Sequence, residues 1–204
     1  MKKLIIAFSL FGFFNSLLLA ENCLQYKISP NVKVIKTKWV QKVVQLDQPM
    51  DLLHGTVVAS FDEEYDLQVS TVASEYGYCV QLNSLSATLG YTSFQINIDK
   101  SHTPDSCKYK MTLDHENEHV SSYIKAFDNE SENVKKAIHL AADSIMPVFV
   151  PSLDGVSAVL DKMQQELQSH PEIILMKQKL DAQQEILNKK VDERDDGKRI
   201  NLCK

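Results

Sequence analysis

The sequence predicts an α+β fold, and three observations carry that expectation. Residues 24–100 are rich in β-branched and aromatic residues, cut into short runs by turn-type clusters. From about residue 107 the apolar residues recur at helical spacing instead, and two further amphipathic stretches follow Pro147 and Pro151. The expected organisation is an export signal over 1–20, a small domain over 21–150 and a C-terminal helical extension over 151–204. Within the domain we expect a mostly antiparallel N-terminal sheet, a helix carrying the chain's most distinctive motif, and a second helix.

The opening "MKKLIIAFSLFGFFNSLLLA" has two lysines, an apolar run through Leu19 and a small residue at a plausible cut, which is the pattern of a secretory signal peptide. The second reading of this stretch is an uncleaved N-terminal anchor. Cleavage would remove Lys2 and Lys3 and no acid, moving the formal net charge from −5 to −7. An acidic chain without a basic cluster is a poor nucleic-acid binder. No later stretch is long and apolar enough to read as a membrane span. The expected location is therefore secreted or periplasmic.

Runs such as "VKVIKTKWVQKVVQL", "GTVVASF", "YDLQVSTVAS" and "YGYCVQLNSLSATL" read as strands. In "YTSFQINID", Thr92, Phe94, Ile96 and Ile98 alternate with Ser93, Gln95 and Asn97, as in a half-buried strand. Tyr109, Leu113, Val120, Ile124 and Phe127 then share one stripe of an amphipathic helix. "DNESEN" supplies turn and N-cap chemistry, and Val134, Ile138, Ala141 and Ile145 mark the second helix, stopped by Pro147 and Pro151. Val156, Val159, Leu160, Met163 and Leu167 form a third stripe; Pro171 opens a fourth helix in which Ile173, Leu180 and Leu187 recur every seven residues. That repeat makes residues 156–194 the candidate surface for a partner helix or self-association.

The mature chain would keep Cys23, Cys79, Cys107 and Cys203, an even number, for which disulfides are the default in an exported protein. The pairing expected is Cys79 with Cys107 and Cys23 with Cys203. None stands at the close spacing of a redox pair or zinc knuckle.

The chemistry-bearing stretch is "HENEH", residues 115–119, on the first helix. Imidazoles at i and i+4 lie one above the other and can reach one zinc ion. Glu116 is then placed to serve as general base toward a water that the metal activates. A catalytic zinc normally has a third protein ligand. The pattern that adds Gly at 122 and His at 125 is excluded by Ser122 and Lys125. In an antiparallel hairpin of the first and second helices, His139 comes to about the height of His119, which makes it the third-ligand candidate. Asp143, Glu130, Glu132 and His102 remain as alternatives. His54, His102 and His170 stand singly and read as loop or surface residues.

The motif resembles the HExxH zincins of gluzincin type. With the export signal, the β-rich first half and a Cys shortly before "HENEH", the chain resembles the uncharacterised bacterial family described as predicted secreted zinc-dependent proteases. The resemblance covers about residues 24–146, and His139 departs from it, since that family type uses a glutamate. It implies a zincin-like domain in which a twisted sheet packs on the motif helix and its edge strand holds an extended peptide; 91–99 is the candidate edge or near-edge strand. It also implies Asp143 as the acid that orients His115, and an oxyanion donor, for which Tyr123 is the candidate.

The function expected is thus an exported zinc metallopeptidase acting on peptide or protein substrates, with Zn2+ as cofactor. A second reading is a zinc-binding or degenerate zincin domain that serves as a non-catalytic interaction protein. A third is a disulfide-stapled exported interaction protein without metal. No nucleophile elbow and no Gly-rich phosphate loop competes.

Overall fold

The computed structural model describes residues 23–50, 54–195 and 202–203; the signal-peptide segment lies outside them. The chain runs β1 (Asn31–Lys36), β2 (Val40–Gln45), β3 (Gly55–Ser74), β4 (Gly77–Ile98), α1 (Cys107–Ser144), β5 (Val148–Val150), α2 (Val156–Gln168) and α3 (Pro171–Asp195). The α+β class holds. The sheet, however, is mixed and not mostly antiparallel. β1 and β2 pair parallel with β4, whereas β3 and β5 pair antiparallel with it.

The reason lies in β4, whose buried residues, Val80, Leu82, Leu85, Leu89, Phe94, Ile96 and Ile98 among them, make it the central strand along its whole length. β3 covers one side from Gly55 opposite Ile98 to Ser74 opposite Gly77, closed by the two-residue turn Glu75–Tyr76. On the other side β1 and β2 lie end to end at one offset, 84 minus 31 and 93 minus 40, both 53 residues. They are a single line of strand interrupted opposite Gly90. Gly90 has φ of 138°, and a Cβ there would stand 2.5 Å from the Thr37 hydroxyl. Residues 91–99, the candidate edge or near-edge strand, are thus part of the buried central strand next to the edge, and β3 is that edge. Among the described residues β3 pairs with no strand but β4.

Asp99 at the end of β4 ties down Met50 after β2 and His54 before β3. Its carboxylate accepts hydrogen bonds from Ser101 and from the Met50 N–H, and these hold its pKa well below the usual carboxylate range. Asp99 N–H donates to the His54 carbonyl at 3.0 Å, which fixes the start of β3 beside α1.

α1 is one helix of 38 residues, about 57 Å long at 1.5 Å per residue, and not a hairpin of two. It starts at Ser106, whose hydroxyl accepts from the Tyr109 N–H at 3.2 Å. "DNESEN" does not break it because that stretch holds neither Gly nor Pro. Its polar side chains pair locally, Asn133 with Glu130 at 2.8 Å and Lys135 with Glu132 at 2.6 Å. Ala126, Phe127 and Val134 carry the buried stripe straight through.

The C-terminal helices share this core. Met163, Leu167, Ile173, Met176 and Leu180 join the cluster formed by β4 and α1, and Leu187 packs against it. The heptad residues Ile173, Leu180 and Leu187 of α3 thus face this core. Two disulfides staple the molecule, Cys23 with Cys79 and Cys107 with Cys203, which corrects the expected pairing. Both were out of reach of sequence, because the first follows from where the β4 start lies and the second from the return of α3 to the beginning of α1. Two disulfides fit an exported protein. No helix among the described residues is long and apolar enough to cross a membrane.

Candidate metal centre

His115 and His119 project from α1 toward α3, with their ring planes at 84° and centroids 4.7 Å apart. Their Nε2 atoms are 3.1 Å from each other. Asp192 of α3 completes a triangle: its Oδ1 lies 3.0 Å from His119 Nε2 and 3.5 Å from His115 Nε2. The edge of a tetrahedron with metal bonds of about 2.0–2.1 Å is about 3.3 Å, so the three donor atoms are spaced as the ligands of one zinc ion. Among the described residues this is the trio able to hold a metal.

The other ring nitrogens settle which atoms face the triangle. His119 Nδ1 lies 3.1 Å from Asn188 Oδ1, an acceptor, and so carries its proton there. His115 Nδ1 lies 2.8 Å from the Asp195 carboxylate. Both Nε2 atoms face each other and the Asp192 carboxylate oxygen, as the donor atoms around one cation would. Imidazoles fixed through Nδ1 by a carboxylate or an amide oxygen are the usual support of metal-binding histidines. The donor set fits zinc.

Glu116, next to His115, turns inward to the sheet and is 4 % exposed. Gly55 makes the space: a Cβ there would come within 2.8 Å of Glu116 Oε1 and 2.6 Å of Thr112 Cγ2. Burial pushes the Glu116 carboxyl up to about 7; His119 opposes this and Asp192 adds to it. One turn earlier on α1, Thr112 meets Nδ1 of the buried His102 at 3.1 Å, and His102 stacks on His54 at 5.0 Å. Burial and the neighbouring His54 lower the His102 pKa and favour a neutral ring. A cavity of about 270 Å³ opens on the trio, bordered by Gly55, Thr56, Val57, Glu116, Tyr123 and Asn188.

His139 and Asp143 are not brought here. His139 stands twenty residues beyond His119 on the same straight helix, about 30 Å away, and is exposed. Asp143, further along, accepts a hydrogen bond from Ser29 at 2.7 Å. The hairpin that would have folded them back does not exist. Glu130 and Glu132 lie on the same far stretch, paired with Asn133 and Lys135, and His102 is occupied by Thr112. His170 accepts from the Glu172 N–H at the start of α3. Tyr123 does border the cavity, its ring packed against Tyr91 at 5.5 Å and Phe94 at 6.0 Å.

Sequence reasoning missed Asn188, Asp192 and Asp195. Their spacing of four and three residues puts all three on one face of α3. That face was readable, but "NKKVDERD" looks like an ordinary charged helix end until α3 is known to return to α1. Arg194 pairs with Glu118 beside them. No protein-family model, curated protein or solved structure matches the chain.

Proposed function

We propose that the protein is an exported zinc-dependent metallopeptidase whose metal is held by His115, His119 and Asp192. The convergence of those three donor atoms beside a buried glutamate is the observation that supports it. Zinc bound there would supply Lewis acidity to a water and to the carbonyl under attack. Glu116 takes the proton from the attacking water and passes it to the leaving amine. Asp195 and Asn188 keep the two imidazoles in the tautomer that binds. Tyr123, on the cavity wall, is the candidate donor to the carbonyl oxygen. Among the described residues β3 pairs with no strand but β4, and its stretch Gly55, Thr56 and Val57 borders the site, which favours an extended peptide over a small substrate.

The test is hydrolysis of an unfolded protein by the zinc-loaded chain, read by mass spectrometry, with Glu116→Gln as the inactive control. Cleavage by the wild type, abolished in Glu116→Gln at unchanged zinc content, is expected. Retained zinc without cleavage would favour the non-catalytic zinc-binding domain instead.

A further inference from the structure

The cavity at the trio does not end at Tyr123. Tyr123 also borders a larger cavity, about 490 Å³, lying between β3 and α3 and walled by Ala59, Phe61, Tyr91 and Leu180. We read the two cavities, which share Tyr123, as one groove. On its β3 side Gly55, Val57, Ala59, Phe61 and Glu63 alternate onto a single face. On its α3 side Lys177, Leu180, Gln184, Asn188 and Asp192 follow at steps of three and four, also one face. Lys177 pairs with Glu63 across the far end, and Gln184 donates to the Tyr91 hydroxyl in the floor.

The groove's two halves differ in chemistry. Around the trio it is polar, with Thr56, Asn188 and Asp192; beyond Tyr123 the apolar Ala59, Phe61 and Leu180 share its walls with the charged Glu63, Lys177 and Asp181. Phe61 and Tyr91 meet edge to face at 5.2 Å and Tyr91 is itself buried, so the floor is rigid. From Val57 to Phe61 is four residues of strand, about 13 Å. A peptide added to the β3 edge turns alternate side chains into the groove about 6.6 Å apart, so the one reaching Phe61 lies about four residues from the one beside Val57.

We propose that the cavity between β3 and α3 is a specificity pocket that receives a large apolar side chain of an extended polypeptide lying along β3. That residue stands about four positions from the bond presented to His115, His119 and Glu116. This inference rests on reading the trio as a peptidase centre, but the pocket is tested by binding, apart from catalysis.

The experiment is selection of random peptides displayed on phage against the full, zinc-supplemented chain carrying Glu116→Gln. The same selection is run with Ala59→Leu or Ala59→Phe added, which fill the pocket from β3 in two steps; circular dichroism checks each fold. The expected result is enrichment of Phe, Tyr, Leu or Met at one position by about tenfold, reduced by Ala59→Leu and removed by Ala59→Phe. Should Ala59→Phe misfold, Ala59→Leu decides. No positional enrichment, or an enrichment that the folded Ala59 variants leave intact, overturns the pocket. Enriched peptides that bind but are never cleaved by the zinc-loaded wild type would keep the pocket and remove the peptidase reading. Cleavage without any such preference would do the reverse.

Discussion

Replacing Asp192 with asparagine separates the role of α3 as a metal arm from its role as packing. Zinc held by a full set of protein ligands is worth about 10–16 kcal/mol, or about 3 kcal/mol for each of four positions. Asparagine keeps the shape and an oxygen but loses the charge, so most of that share goes and zinc affinity falls roughly 100-fold. Folding is expected to feel nothing comparable. The Asp192 side chain is 62 % exposed, and a surface change of this kind stays within about 0.5 kcal/mol. The assay is competition for zinc against a chromogenic chelator at neutral pH, with melting of the metal-free proteins alongside. His139→Ala and Asp143→Asn, both far down α1, should bind zinc as the wild type does. An Asp192→Asn protein that holds zinc within about threefold of wild type would refute the geometry, as would a loss of zinc in His139→Ala.

Three more predictions follow from the same contacts. Glu116 holds its proton up to about pH 7 in the folded metal-free protein and releases it near the ordinary value of 4.5 once unfolded. The folded state then binds more protons between those values, so stability is highest below about pH 4.5 and falls as pH rises to about 7, by at most about 3 kcal/mol for this group. Denaturant unfolding of metal-free Glu116→Gln across that range should lack this component, and an unchanged pH slope would contradict it. Gly55→Ala, forced against Thr112 and Glu116, should cost about 1–3 kcal/mol in a melting experiment and displace the base, lowering hydrolysis more than zinc content. Replacing Cys107 and Cys203 together with serine opens a link across 96 residues and should cost about 2–4 kcal/mol in denaturant unfolding. Zinc affinity should drop with it, because the link ties the chain beyond Asp192 and Asp195 to the start of α1.

Residues 115–119 were legible because a five-residue helical pattern carries its own geometry: the side chains at i and i+4 meet wherever the helix lies. The α+β class was legible for the same local reason, since periods of two and of about 3.6 differ within ten residues. What failed depended on partners distant in sequence. The parallel direction of β1 and β2 against β4 is set by pairing with residues about fifty positions away, and nothing in "VKVIKTKW" records it. The reading of "DNESEN" as a turn weighed cap-forming residues that, without Gly or Pro, do not stop a helix already buried on both sides of them. With that turn went His139 and Asp143. Asp192 was hidden for the opposite reason: its helix looked complete and solvated, and only the apolar seam of Ile173, Met176 and Leu180 on the common core brings the end of α3 back to the histidines.

Anomalous scattering at the zinc edge, from crystals grown with stoichiometric zinc, would locate the metal against His115, His119 and Asp192. One strong peak is expected about 2.0–2.2 Å from His115 Nε2, His119 Nε2 and an Asp192 carboxylate oxygen, with Glu116 beside it and not among its ligands. A zinc-loaded crystal with its peak elsewhere, or none at this triangle, would contradict that placement.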